Sequence, residues 1–135
     1  MDLNNFIFHI GQITFNAELK TVAPSNIVSI FTTLLVFNDI GEFKTFLKLS
    51  PPLRTEDDRS ALVRGLSDGT IDVIVSDHKP EDEEQKRLTF AQAETGASGI
   101  ETLLSLSLEH YHNGNVKLET IIKALTSNPA KILQI

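Results

Sequence analysis

Asp77 and His78 place a carboxylate and an imidazole directly after an apolar run, Ile71 to Val75, and just ahead of the mostly charged stretch from Lys79 to Arg87. A carboxylate takes up protons and binds cations, and an imidazole does both near neutral pH. A second histidine, His9, sits inside the apolar aromatic run Phe6 to Ile10. Taken alone, Asp77 reads as a helix cap, a solvated loop acid or a catalytic group. His9 reads equally as a half-buried strand histidine or a metal ligand. His110 and His112 form a third candidate, but residues two apart on a helix do not share a face and make a poor chelate. Protonated side chains favoured by a helix C-terminus are the simpler reading for that pair. The chain has no cysteine. Disulfides, thiolate zinc sites and a cysteine nucleophile are thereby excluded, and any metal must use His and carboxylate ligands.

Composition narrows the classes further. The 135 residues, 41% hydrophobic and 22% charged, suit one soluble globular core. A net charge of -6 works against binding nucleic acid or an anionic membrane, since both need a surplus of Lys and Arg. The first residues carry an acid at Asp2, and no apolar run approaches membrane-spanning length. A cytoplasmic location is therefore expected, with no nucleic acid or membrane partner.

The elements that must position these groups follow from pattern. The sequence predicts a strand over Phe6–Ile10, a short helix over Phe15–Val22 and a second strand over Ile27–Phe31. Thr32 to Ser50 is less regular and reads as a long connection, with a turn at Asn38–Gly41. Thr55 and the acids after it form a strong helix start, Leu62, Val63 and Leu66 give the helix an apolar face, and Ser67-Asp68-Gly69 stops it. The run Ile71–Val75 predicts a parallel strand buried on both faces, although Asp72 interrupts it. Ser76 to about Ser98 reads as a long charged loop, of the kind that is functional or disordered, and Glu81 to Arg87 as its solvated face. Helices are predicted over Gly99–His112 and Leu118–Leu125, and a last one starts at Asn128-Pro129. Strands alternating with helices imply a parallel α/β sheet, whose sites form where the strands end. Asp77 lies at such an end.

Several separated stretches share an order with one family. KLSPPLRTEDDRSALVRGLSDGTIDVIVSDHKP, then GASGIETLL, then LTSNPAKIL resemble the C-terminal part of dihydroorotase, of the amidohydrolase superfamily. The match is specific from Lys48 to Ile135 and looser before it, where FHIGQIT resembles a strand that carries a metal-binding histidine. The resemblance implies a partial (β/α)8 TIM barrel, covering roughly the last three strands and their helices as one truncated domain. It implies a metal-dependent hydrolysis or closure of the cyclic amide of dihydroorotate, a step of pyrimidine biosynthesis, with Zn2+ activating water. By the same resemblance Asp77 would be metal ligand and general base, His9 a metal ligand, and Ser50, Arg54 and His78 substrate-binding residues.

Departures from the family pattern carry equal weight. The His-x-His pair of the first strand, the metal-bridging lysine and a further histidine have no counterpart in the chain. The family's His-His falls near Phe31-Thr32-Thr33, and the histidine found in many relatives four positions after the aspartate is Glu81 here. The family's small β-domain after NPAKIL is also missing, so the chain is expected to lack barrel on both sides. Asp77 and His9 are too few ligands for catalytic zinc, so metal binding is expected to be weak or absent and the isolated chain inactive. Activity then requires a complementary polypeptide or a homo-oligomer. The alternative is a non-catalytic interaction protein or decayed remnant that associates with a pyrimidine-pathway partner.

Overall fold

The structure, a computed structural model, describes residues 26–135. His9 and the strand and helix expected before Pro24 lie outside the described residues. The described residues form β1 (Ile27–Ser29), α1 (Ile30–Leu34), α2 (Glu56–Asp68), β2 (Val73–Val75), α3 (Glu83–Lys86), α4 (Leu103–His112), α5 (Leu118–Leu125) and α6 (Ser127–Leu133). β1 and β2 pair in parallel, with Ile27 opposite Val73, Val28 opposite Ile74 and Ser29 opposite Val75. A parallel pair needs a long crossover, and α1 and α2 supply it.

Both strands are shorter than the apolar runs that predict them. Ile30 and Phe31, expected to extend β1, instead begin α1. All of Ile30, Phe31, Thr32 and Thr33 are buried, because the helix is packed between α2 and α4. Thr32 and Thr33 each turn their hydroxyl back onto the carbonyl three residues earlier, which satisfies polar atoms inside the core. At the other run, Ile71 and Asp72 stay outside β2. The Asp72 carboxylate accepts from the Asn26 N–H at 3.0 Å, and the Asp72 N–H donates to the Asn26 carbonyl at 2.8 Å. The acid that breaks the apolar run thus ties the starts of the two strands together.

Local signals placed the helices well. Thr55 caps α2 reciprocally with Asp58, three acids lie in the first turn, and Gly69 ends the helix in the left-handed region at φ 83°. Positive φ costs glycine little, which is why the stop falls there. α5 has the predicted limits, and Pro129 lies in the first turn of α6. α4 starts later than expected, at Leu103, after a turn over 100–102. The core joins Val28 and Ile74 of the strands to Leu66 of α2, Ile121 and Ala124 of α5, and Leu53. Burying a side chain such as Leu66 or Ile121 contributes about 1.5–3 kcal/mol, and both are almost wholly enclosed. Among the described residues no helix is long and apolar enough to cross a membrane.

Candidate active site

β1 ends at Ser29 and β2 at Val75, side by side, so the residues that follow each strand meet at the carboxyl edge of the pair. Ser76, Asp77 and His78 leave β2 there. The turn is sharp: Asp77 has φ 49°, a left-handed conformation that aspartate tolerates better than most side chains. Its carboxyl group is half-buried. Loss of water around it raises its pKa above the ordinary 3.8, and the Ser29 hydroxyl beside it opposes that rise. Ser29 Oγ is itself enclosed and completes no hydrogen bond of normal geometry, so its opposition is weak and burial dominates.

His78 is exposed but held. Its Nδ1 accepts from the backbone N–H of Gly99 at 3.1 Å and of Ile100 at 3.3 Å. Nδ1 therefore carries no hydrogen, and the neutral ring bears its proton on Nε2. His78 also bridges to Ala97 as a short parallel strand contact. The Gly99 backbone comes so close that an added Cβ would lie 2.4 Å from the Ser76 carbonyl and 2.9 Å from Phe31 Cζ. Only glycine allows this segment to close over the strand ends.

The long loop that follows is pinned by lysines. Lys48 Nζ donates to the Ala91 and Ala93 carbonyls at 3.1 and 2.6 Å, and Lys79 Nζ to Thr95 at 2.8 Å. Lys86, expected on a solvated face, is instead buried within the loop and donates to the carbonyls of Glu94 at 2.8 Å, Thr45 at 3.2 Å and Lys48 at 3.4 Å. A single ammonium replaces water for several inward-facing carbonyls, and burial lowers its pKa from the ordinary value. Glu81 pairs with Lys79 at 2.8 Å.

Ser50 and Arg54 lie elsewhere on the connection between α1 and α2. Both are exposed. Arg54 pairs loosely with Asp58 at 3.6 Å and borders a groove lined also by Val36, Phe37 and Thr55. Among the described residues, no hydrogen bond or ion pair joins either of them to Asp77. His110, read from sequence as a protonated end-of-helix residue, is buried in the core and its pKa is lowered, first by desolvation and then by Arg59. The neighbours missed in sequence are Ser29, which only the strand register brings to Asp77, and Gly99, whose close approach leaves no side-chain signal.

Among the described residues no group of three or more His, Asp or Glu side chains stands close enough to hold a metal ion. Asp77 is the one metal-binding type at the strand ends that the described residues offer in a half-buried position. That donor set does not fit zinc, which commonly takes about three protein ligands and a water in a catalytic site.

Parallel strands joined through helices, with an acid at the strand ends, make an α/β segment, and its fold matches a portion of amidohydrolase chains. Its structure superposes on L-hydantoinase (dihydropyrimidinase) from Arthrobacter aurescens with a TM-score of 0.79, over 96% of this chain and 29% of that one at 24% identity, a likeness of fold. D-hydantoinase (dihydropyrimidinase) from Thermus matches with a TM-score of 0.68 over 79% of this chain and 25% of that one, at 28% identity. In sequence the chain is a homologue of dihydroorotase. It is 43% identical to dihydroorotase from Ehrlichia canis and 37% identical to that from Wolbachia of Brugia malayi, each over 99% of this chain and 32% of the relative. Dihydroorotase from Anaplasma phagocytophilum is 46% identical over 76% of the chain. The chain spans about a third of the length of the first two relatives. No protein-family model matches it.

Proposed function

We propose that the chain is the C-terminal part of a dihydroorotase-type barrel, with Asp77 as its proton-transferring carboxylate. The observation that carries this reading is Asp77 itself, at the carboxyl end of a buried parallel strand, with its pKa raised by burial. A raised carboxyl pKa brings the group nearer to the pH at which it must both take and return a proton. The substrate would be a small cyclic amide, interconverted with its open carbamoyl acid. Asp77 accepts a proton from the attacking water and passes it to the leaving nitrogen. His78, fixed by two backbone N–H groups, leaves Nε2–H to donate to a substrate oxygen, and Ser50 and Arg54 extend the substrate surface. In the family zinc supplies the activated water. Asp77, even joined by His9, makes an incomplete zinc site, so turnover requires further ligands from barrel strands other than those of these 135 residues.

The test is reconstitution. The purified chain alone is expected to show no dihydroorotate hydrolysis and substoichiometric zinc by elemental analysis. Mixed with a polypeptide bearing the earlier strands of a dihydroorotase barrel, it is expected to gain activity that Asp77→Asn abolishes. Equal activity of the Asp77→Asn mixture overturns the assignment.

A second reading, a non-catalytic interaction protein beside a pyrimidine-pathway partner, is supported by the apolar side chains left at the surface. Phe37, Phe43, Phe46 and Ile100 are each more than 60% exposed. A stable metal-free oligomer that never gains turnover on mixing favours that reading.

A further inference from the structure

His110 of α4 is buried in the core, where its ring meets Thr33 of α1. The ring is 1% exposed. Its Nε2 lies 2.9 Å from Thr33 Oγ1 of α1, and the Thr33 hydroxyl already spends its hydrogen on the Ile30 carbonyl at 2.8 Å. Thr33 Oγ1 can therefore only accept, which puts the ring hydrogen on Nε2. The other ring nitrogen, Nδ1, is enclosed and has no hydrogen-bond partner. A proton arriving at Nδ1 would create a buried charge and a buried donor with no acceptor.

The charged surroundings do not relieve that cost. α1, Ile30–Leu34, contributes no titratable side chain to the contact. From α2, Arg59 reaches the Thr33 carbonyl at 3.4 Å and repels a second positive charge. Glu109, next to His110 on α4, is exposed and acts only as the smallest, opposing influence. On α5, Glu119 and Lys123 are paired with each other at 2.5 Å and exposed. The loop after α4 turns the backbone N–H groups of Asn115 and Val116 onto the His110 carbonyl, to which they donate.

We propose that His110 is an acid-sensitive latch: neutral, it ties α4 to α1 through Thr33, and on protonation it releases α4. The release reaches the candidate active site, because the turn leading into α4 carries the Gly99 and Ile100 N–H groups that hold His78 next to Asp77. The latch goes beyond the catalytic reading and does not depend on it. The ring's folded pKa lies below its ordinary 6.5, so the neutral form's contribution is complete above that value. It is lost as pH falls below it, because the unfolded chain then binds a proton that the folded chain refuses.

Urea unfolding of the whole chain between pH 7.5 and 5.5 tests this, with His110→Gln as comparison, since Gln keeps a donor for Thr33 Oγ1 and cannot titrate. The wild-type unfolding constant is expected to rise more steeply on acidification than that of H110Q. The excess approaches about tenfold per pH unit, the slope of one proton. Protection of the Gly99 and Ile100 amides from exchange, relative to the intrinsic rate at each pH, is expected to fall at pH 5.5 in the wild type only. Parallel pH profiles for the two proteins overturn the latch, and unchanged protection at Gly99 and Ile100 overturns its reach to His78. Should H110Q fail to fold, ring nitrogen NMR of the wild type decides. A neutral Nε2–H tautomer persisting well below pH 6.5 supports the latch, and titration at the ordinary histidine value overturns it.

Discussion

At Asp77 the fold carries two local costs at once, a left-handed backbone at φ 49° and a carboxylate drawn partly out of water. Asparagine tolerates the same backbone and has no charge to desolvate. Because the folded pKa is raised, the ionised group opposes folding at every pH above that pKa, and the opposition fades as acid neutralises it. Asp77→Asn is therefore expected to raise the melting temperature at pH 7, with the gain shrinking toward pH 3, as read by thermal unfolding across pH. A melting temperature that falls at pH 7 would show that the carboxylate has a stabilising partner. Lys86 presents the opposite case, a buried charge that satisfies its surroundings. Lys86→Met removes the donor shared by the Thr45, Lys48 and Glu94 carbonyls. It is expected to cost about 1–3 kcal/mol, the penalty for buried polar groups left unpaired. Urea unfolding measures it, and a neutral effect would mean that water reaches those carbonyls.

The elements are held by ends and close approaches more than by length. α2 begins with Thr55 Oγ1 accepting from the Asp58 N–H at 3.3 Å, while Asp58 accepts from the Thr55 N–H at the same distance. Thr55→Ala is expected to lower stability by about 1 kcal/mol through loss of the cap, without changing the unfolding slope. Gly99 tests the closure over the strand ends. A methyl group there meets the Ser76 carbonyl at 2.4 Å, which backbone cannot evade without moving. Gly99→Ala is expected to cost about 1–3 kcal/mol, as overpacking does, and to disturb the His78 ring because Gly99 N–H is one of its two donors. Unchanged His78 chemical shifts in that variant would show that the segment accommodates the methyl by sliding.

At the scale of the molecule, the balance lies between a small core and a large apolar surface. Two strands of three residues each carry the sheet of the described residues, and an open sheet of that size leaves backbone edges for pairing. Ile100 and Leu104, 63% and 53% exposed, stand four residues apart where α4 begins, and Phe37, Phe43 and Phe46 lie along the α1–α2 connection. Patches of this kind mark surfaces that associate. The purified chain is expected to self-associate with rising concentration in sedimentation velocity, and Leu104→Glu to reduce it. A monomer at every concentration, in both proteins, would mean that the apolar surface is tolerated in water.

The sequence by itself determined whatever one turn of chain can decide. Thr55 with its acids, Gly69 after α2, the span of α5 and the apolar approach to Asp77 were all legible, because caps, helical periodicity and left-handed stops act between residues near each other in the chain. The order of the SPPLR, SDHKP and NPAKIL stretches likewise pointed to the dihydroorotase relationship that the homologues bear out. Tertiary structure alone decided the rest. Ile30–Leu34 became a helix, although its residues favour strand, because neighbours from α2 and α4 enclose it on several sides. Lys86 went inside because carbonyls 8 to 41 residues away needed a donor. The His110 pKa is lowered because the core closes around the ring, bonded there to Thr33 77 residues earlier, and strips it of water. Burial and pairing across such separations depend on the packed whole, and no local pattern of residues encodes them.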